Sequence, residues 1–471
     1  MEHNRIVPND TPGIDIPEQN EMTSRVKILN TASGLGFNIN NIIGAAIFMA
    51  PSSVWRLVQS PGATLIFWLV GGTRFPSGSG EQKYLEETFI KWPKFGHIFT
   101  FVMVIIILPG GIIADVHVSA TYFLYTIQGN DGNQNEYFGK DFIELRFLAV
   151  AILFIVTFYH MCSNQLAIKI NQIFAIFKFF ALLIISIIGL ITLREARFKD
   201  HWKGIFNNTL SNDTYQRSAL EQIGSYGNAM LKVIFSYNGW NNLNYSTEEL
   251  NSPERRMKYL LMIAAFITVV DPNDAINSKE IIAIHFGRTL FGEPGKRFIS
   301  FLISVSAFGS VGAMVFMGSR IITYSAQTKF IPKVSSKLYK WNKKVDTPSN
   351  ALAAQFIYCT ILILIFPDGK SLFTFFSNMS SYITLVFYGV SAICLFVLRK
   401  KQKEADYRNF KAPLIAVVIS FLCIVCLIIA PFFPLSYSLY DSTIYPHYLP
   451  FVISWIATLI GVVIWFFRAH N

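Results

Sequence analysis

Ten apolar runs constrain the fold of this chain more than any other feature of its sequence. A membrane-spanning helix needs about 20 largely apolar residues. Backbone groups in lipid must pair within the protein, so runs of this length are expected to be helical. The chain is therefore predicted to be an all-α integral membrane protein. The runs cover residues 35–58, 98–127, 142–162, 166–193, 226–247, 298–326, 350–367, 371–398, 412–433 and 448–467.

The amino-acid composition indicates the same class of protein. The 471 residues are 52% hydrophobic and 15% charged, whereas a soluble protein carries about 25% charged residues. The net charge is +11, but Lys and Arg lie mainly in connecting loops, where they set the orientation of membrane spans. The positive charge therefore does not indicate nucleic-acid binding, and a lipid bilayer is the expected surrounding.

Two further apolar runs are too short to cross a bilayer unaided. Pro61–Gly72 and Tyr259–Val270 have about a dozen residues each, and polar sequence follows each directly. Counting them gives about twelve segments, with the second and the seventh truncated. An even number puts both termini on one side, and the basic loops 329–344 and 399–411 assign that side to the cytoplasm. The basic loop 194–217 disagrees, although it carries two N-glycosylation sequons.

The N-terminal segment is polar and has no apolar core. Residues 1–24 are therefore expected to form a disordered cytoplasmic tail rather than a signal peptide. Residues 25–471 are expected to form one transmembrane domain.

The five cysteines all lie in or beside apolar runs. Cys423 and Cys426 are spaced C-x-x-C, but no second pair and no His accompanies them. We therefore expect them to pack between helices, with no metal site and no disulfide framework. The loops show no Ser-His-Asp, paired-carboxylate or phosphate-loop pattern, so neither enzymatic activity nor a cofactor is expected.

Two apolar runs are interrupted by small and polar residues at corresponding places in the two halves of the chain. Asn41–Phe48 interrupts the first run, and Phe235–Asn242 interrupts the run 226–247, which is the sixth of the twelve segments. Interrupted backbone in a bilayer is tolerated where it lines a cavity, and a matched pair indicates the substrate site of a secondary transporter. Each segment alone is equally compatible with a close helix crossing. The polar residues Asn238, Asn241 and Asn242 favour the cavity.

An α-amino acid fits such a pair of breaks. A broken helix offers free N–H groups and a positive dipole end to a carboxylate, and free carbonyl groups to an ammonium. Gly44, with Ala45 and Ala46, has side chains small enough to let backbone approach a ligand. Gly239, beside Trp240, does the same in the sixth segment.

Several motifs resemble those of the amino acid/polyamine/organocation transporters. Ile42–Phe48 is similar to the first-helix signature I-I-G-x-G-I-F, and Pro76–Leu85 to the segment P-x-S-G-G-E-x-x-Y-L after helix two. Gly239–Pro253 resembles the run G-W…N…T-E-E-x-x-N-P that ends helix six, and Ser306–Arg320 resembles helix eight. The resemblance extends from about Lys27 to the C-terminus. The most similar branches are the fungal methionine permeases and the L-type amino acid transporters.

The resemblance implies a LeuT-type fold. Helices one to five and six to ten would form inverted repeats, with two C-terminal helices appended. It also implies that the substrate carboxylate binds at Ile43, Gly44, Ala45 and Ala46, and that carbonyl groups of the sixth helix bind the amine. The substrate-binding residues expected there are Phe235, Ser236, Tyr237, Asn238, Gly239 and Trp240.

Ionisable residues within apolar runs are functional candidates because a charge there is costly. Lys178 lies in the middle of the run 166–193, which is the fifth of the twelve segments. The resemblance implies that it holds the inner half of helix one, where sodium-coupled relatives bind Na⁺. Asp115 and His117 could form a proton-linked pair, but a water-facing position at the outer end of the third span is at least as compatible with the sequence. Arg320 is expected to anchor the eighth span at the membrane interface.

Three features depart from the family pattern. Ala46 stands where glycine is usual and adds a methyl group at the expected carboxylate position. The loop 128–140 lacks the cysteine through which L-type light chains bond a heavy chain, so no disulfide-linked partner is expected. Helices two and seven lose their distal halves at Gly72/Thr73 and Val270/Asp271, and the family pattern resumes beyond each gap. Missing exons or a splice variant would explain these gaps.

Together these observations predict a plasma-membrane amino acid permease that works by alternating access. A neutral amino acid such as methionine is the expected substrate, and coupling to protons is expected. Two alternatives stay open: an exchanger for large neutral amino acids, and a sensor that binds an amino acid without transporting it. An ion channel is not favoured, because the sequence has no filter motif.

Overall fold

The computed structural model describes most of the chain and shows a helical bundle. Every regular element within the described residues is a helix, apart from one isolated bridge between Asn342 and Thr347. The described residues are 31–72, 85, 88–89, 95–128, 143–207, 217–237, 254–272, 275, 281–327, 332–367, 371–401, 414–435 and 445–469.

Sixteen α-helices follow one another along the described part of the chain. They are α1 Thr31–Ile42, α2 Ala46–Val58, α3 Pro61–Gly72, α4 His97–Val102, α5 Leu108–Gln128, α6 Ile143–Cys162, α7 Asn164–Thr192, α8 Ala196–Lys199, α9 Ala219–Ser236, α10 Glu254–Val269, α11 Ile282–Gln327, α12 Pro332–Leu338, α13 Ser349–Ile365, α14 Leu372–Lys401, α15 Leu414–Ile429 and α16 Leu449–Ala469. A π-helical turn, Met103–Ile107, joins α4 to α5.

Seven segments of the described chain are long and apolar enough to cross a membrane. Three shorter apolar helices, 61–70, 349–365 and 417–432, accompany them. The chain is therefore a multi-pass membrane protein, as its sequence predicts. The seven segments are 36–58, 97–127, 143–162, 164–192, 282–326, 372–398 and 449–467.

The outer surface of the bundle is apolar, as contact with lipid requires. Ile173 on α7 is 66% exposed, Ile415 on α15 is 71% exposed and Leu459 on α16 is 60% exposed. Large contiguous apolar surfaces are rare on soluble monomers. Polar side chains such as Asn40 and Asn171 are buried between helices instead.

The helix α10 is short, as the sequence predicts, but its end is enclosed by protein. Side chains from Met262 to Val270 are buried, apart from the partly exposed Ala264. The helices packed around them are α3, α7 and α11. Because this part of α10 faces other helices rather than lipid, its length does not have to match the bilayer thickness.

The helix α11 begins well before the apolar run from which it was predicted. The sequence places the eighth span at 298–326, whereas the helix starts at Ile282. Residues 282–291 form a separate helical stretch, and the backbone turns at Gly292, which has φ 66°. Glycine adopts this conformation without a steric cost. The stretch is short and follows polar sequence, so hydropathy alone does not reveal it.

The α7–α10 crossing yields a test of the packing. A methyl group at Gly189 would overlap the side chain and Cα of Ala265. We expect Gly189→Val to push the helices apart and to lower the free energy of unfolding by about 1–3 kcal/mol. The measurement is the temperature at which the purified protein in detergent loses its monodisperse gel-filtration peak.

The control is Ile187→Val on the same helix, where the side chain is 46% exposed. This control should melt close to the wild type. Equal melting of wild type and Gly189→Val would contradict the close crossing.

Candidate substrate site

The first membrane segment is broken at the position that the sequence predicts. Helix α1 ends at Ile42 and α2 begins at Ala46, with a bend over residues 43–45. The last backbone bond of α1 joins the N–H of Ile43 to the carbonyl of Ile39 at 2.9 Å, and the N–H of Phe48 bonds the carbonyl of Ala45 at 3.1 Å. The N–H groups of residues 44–47 have no backbone acceptor within the described part of the chain. The break is fully buried, because Ile43, Ala45 and Ala46 are at most 6% exposed.

Serine side chains from two helices donate hydrogen bonds to carbonyl groups around the break. Ser306 on α11 donates to the carbonyl of Ile43 at 2.9 Å. Ser310, one turn later, donates to the carbonyl of Asn41 at 3.4 Å. The Ser236 hydroxyl on α9 lies within hydrogen-bond distance of two carbonyl groups, that of Lys232 in its own helix at 3.0 Å and that of Ala46 at 3.3 Å. Because these carbonyl groups are satisfied, the backbone groups left over at the break are mainly N–H donors.

Lys178 contacts the end of α1, the first part of the broken segment. Its side chain is 1% exposed, and its Nζ donates to the carbonyl of Asn40 in the last turn of α1 at 2.8 Å. The Asn40 side chain also donates at 2.5 Å to the side chain of Asn171, which precedes Lys178 by seven residues on α7. Helix α7 thus holds the end of α1 through two polar contacts.

A cavity opens where the break faces the end of α9. It is partly open to solvent. Four of the predicted substrate-binding residues line it together: Gly44, Ala46, Phe235 and Ser236. The positive end of the α2 dipole and the N–H groups that lack backbone acceptors are therefore beside this cavity, as anion binding requires.

The other predicted residues lie elsewhere. Ile43 and Ala45 are buried within the break, but they are not part of the cavity wall. The Tyr237 hydroxyl donates to the carbonyl of Trp68 on α3 at 3.1 Å. Asn238, Gly239 and Trp240 lie outside the described residues.

Two polar side chains on the cavity wall were not predicted as site residues. Asp115 on α5 and Ser310 on α11 both face the cavity. Asp115 is 3% exposed, so the sequence-based alternative of a water-facing outer end is wrong. The signal was present, since an acidic residue in an apolar run is costly. The helical phase that turns it inwards was not visible in the sequence.

Arg320 forms specific contacts near the end of α11. Its guanidinium donates to the carbonyl of Phe316 at 2.8 Å and to the Asn164 side chain at 2.7 Å. It also lies over the Phe316 ring, which stacks on Phe37 of α1 with ring centroids 4.0 Å apart. Its location at a membrane interface stays a prediction.

The bundle, the buried helix break and the cavity beside it are those of a membrane carrier for small solutes. Residues 29–456 match the amino acid permease family, and the chain belongs to that family. This confirms the resemblance seen in the sequence, and the family consists of transporters rather than enzymes.

Several relatives are similar along most of their length. The chain is 28% identical to the high-affinity methionine permease of Saccharomyces cerevisiae, over 92% of this chain and 78% of the relative. It is 26% identical to the human b(0,+)-type amino acid transporter 1, over 88% and 84%. It is 27% identical to the mouse large neutral amino acids transporter small subunit 2, over 87% and 78%. The alignment with the yeast relative has 469 positions but includes only 92% of this 471-residue chain. A few tens of residues of the yeast relative therefore have no counterpart in this chain.

The Lys178 contact yields a second prediction. Lys178→Met keeps the length of the side chain but leaves the Asn40 carbonyl without its donor. An unpaired buried carbonyl costs about 1–3 kcal/mol, and α1 would lose its attachment to α7. We expect amino acid uptake to fall at least about tenfold at equal surface expression, since 1.4 kcal/mol corresponds to tenfold.

Lys169→Met is the matched control, because Lys169 is exposed on the same helix. Uptake by the control should equal that of the wild type. Normal uptake by Lys178→Met would show that the contact is dispensable.

Proposed function

We propose that this chain is a secondary transporter that binds a neutral amino acid in the cavity between α2 and α9 and moves it by alternating access. The observation that carries the proposal is the row of N–H groups at residues 44–47, which lack backbone acceptors beside a cavity. These donors suit the substrate carboxylate. The substrate ammonium would bind carbonyl groups at the end of α9, in the segment 235–240.

The side chains around the cavity support a neutral, apolar substrate. Phe99, Met103, Met314 and Phe387 line it together with Phe235. Thioether and aromatic groups pack well against one another, so methionine fits this wall. The name of the yeast relative, a methionine permease, supports the same choice. An exchanger for large neutral amino acids is the alternative within this class, in keeping with the name of the mouse relative.

We also propose the LeuT-type arrangement, with two inverted repeats of five segments followed by α15 and α16. Two symmetric features support it. The first segment of the first half is interrupted beside the cavity, at residues 43–45. The first segment of the second half, α9, ends beside the cavity, just before Tyr237. The second segment of each half is short, as α3 and α10.

The loop charges support the proposed orientation. Lys337, Lys340, Lys343 and Lys344 are exposed between α11 and α13, and basic loops face the cytoplasm. We place both termini, with the tail 1–24 ahead of the domain 25–471, on that side of the plasma membrane. Coupling to protons belongs to this proposal, and a disulfide-linked heavy chain does not.

One structural feature favours a second function, that of an amino acid sensor without transport. Helices α3 and α10 are only 12 and 16 residues long, and the relatives contain positions that this chain lacks. A sensor would need the binding cavity but not a complete set of moving helices.

Uptake of radiolabelled methionine by permease-deficient yeast cells that express the full chain separates the two functions. Saturable accumulation, competed by other neutral amino acids, is the expected result. Binding to the purified protein without accumulation would establish the sensor. Neither binding nor accumulation of any neutral amino acid would overturn the proposed function.

Substitution of Gly44 tests the location of the substrate. A Cβ atom there would lie 2.8 Å from Ser310 Oγ and 3.0 Å from Asp115 Oδ2. We therefore expect Gly44→Ala to weaken methionine binding and Gly44→Val to abolish it, measured by equilibrium binding to purified protein.

Gly389→Ala on α14 is the control, since a Cβ there meets only the Ile424 side chain, at 3.1 Å. Its affinity should match the wild type. Unchanged affinity in Gly44→Val would place the substrate elsewhere.

A further inference from the structure

A buried carboxylate reaches the broken helix at the place proposed for the substrate. Asp115 is 3% exposed, and its Oδ1 has no hydrogen-bond partner among the described residues. Its other oxygen, Oδ2, lies 3.0 Å from the position of a Cβ atom on Gly44. The carboxylate therefore faces the cavity and the bend in the backbone at the same time.

Three polar groups lie close to the Asp115 carboxylate in this buried position. The Ser310 hydroxyl, the N–H of Ala45 and the Lys178 ammonium all interact with its carboxylate. Helix α2, which starts at the next residue, adds the positive end of its dipole. The Ala45 N–H is one of the donors that a substrate carboxylate would use. Asp115 thus holds the position of an anion at the break.

Two carboxylates at one helix terminus repel each other, and a proton shared between them removes the repulsion. Resting on the transport function proposed above, we propose that Asp115 is the proton-coupling residue of this carrier. A proton from the outer solution binds the Asp115 carboxylate, and the substrate carboxylate then takes over the N–H groups at residues 44–47. After the substrate leaves on the other side, Asp115 releases that proton and returns to the break. One proton moves with each amino acid.

The ionisable groups on the surrounding helices leave Lys178 as the charged neighbour of Asp115. On α11, Lys296 lies over the ring of Tyr125, which is near the C-terminal end of α5 and is not part of the cavity wall. On α6, Arg146 donates to the carbonyl of Leu364, and the His160 ring lies against the Tyr159 ring at a tilt of 34°.

The remaining helices contribute uncharged groups. On α14, Tyr388 faces the same cavity. On α13, the Tyr358 hydroxyl donates to the carbonyl of Ile105. His117 is two residues from Asp115 on α5 but is not part of the cavity wall. Lys178 donates to Asn40, which keeps it in place while Asp115 gains and loses its proton.

The experiment measures methionine binding to the purified full-length chain between pH 5 and pH 8, together with uptake into proteoliposomes under an imposed pH gradient. Linkage to one proton makes affinity fall by up to about tenfold per pH unit on the alkaline side. Asp115→Asn is a permanent mimic of the protonated side chain. We expect the affinity of this variant for methionine to be independent of pH, and the rate of methionine uptake to be independent of the imposed proton gradient.

His117→Gln is the control, and its pH dependence should match the wild type. Folding of each variant is followed by its gel-filtration profile. The inference is overturned if Asp115→Asn keeps the wild-type pH dependence, if a folded Asp115→Asn binds nothing at any pH, or if His117→Gln loses the dependence instead. Methionine binding by the wild type that does not vary with pH also overturns it, while leaving the transport function intact. Absence of any binding by the wild type is the separate failure of that function.

Discussion

The break between α1 and α2 can exist inside the protein because other helices satisfy its carbonyl groups. An unpaired buried backbone group costs about 1–3 kcal/mol. Lys178, Ser306 and Ser310 donate to carbonyl groups on the α1 side, and Ser236 donates to Ala46 on the α2 side. The N–H groups of residues 44–47 have no corresponding backbone acceptors. At the break itself the backbone therefore offers N–H donors that have no backbone acceptors, an arrangement that suits an anion.

The two halves of the first segment are held by different neighbours. Helix α1 is tied to α7 by Lys178 and to α11 by the stack of Phe37 on Phe316. Helix α2 packs mainly against α9. The bend at residues 43–45 joins these two sets of contacts, and α11 packs against both helices.

Much of this site was predictable because its signals are local in sequence. The small residues Gly44, Ala45 and Ala46 in an apolar run predict the break. A lysine surrounded by apolar residues marks Lys178 as a functional candidate, and the family resemblance implies its contact with the first helix. The facing of Asp115 was not predictable, because hydropathy does not show which side of a buried helix meets a cavity. Ser310 was missed for a related reason. A serine in a span usually bonds its own helix, and its contact with Asn41 depends on tertiary packing.

Ala46 shows how specificity can change without loss of the anion site. Its side chain is 5% exposed and lies on the cavity wall. A methyl group in place of the usual hydrogen leaves the N–H donor unchanged, and the carbonyl still accepts from Ser236. What it removes is space between the break and Phe235. In the site proposed above, the backbone of α2 would recognise the carboxylate that all amino acids share, whereas the methyl group would limit which of them can lie against α9.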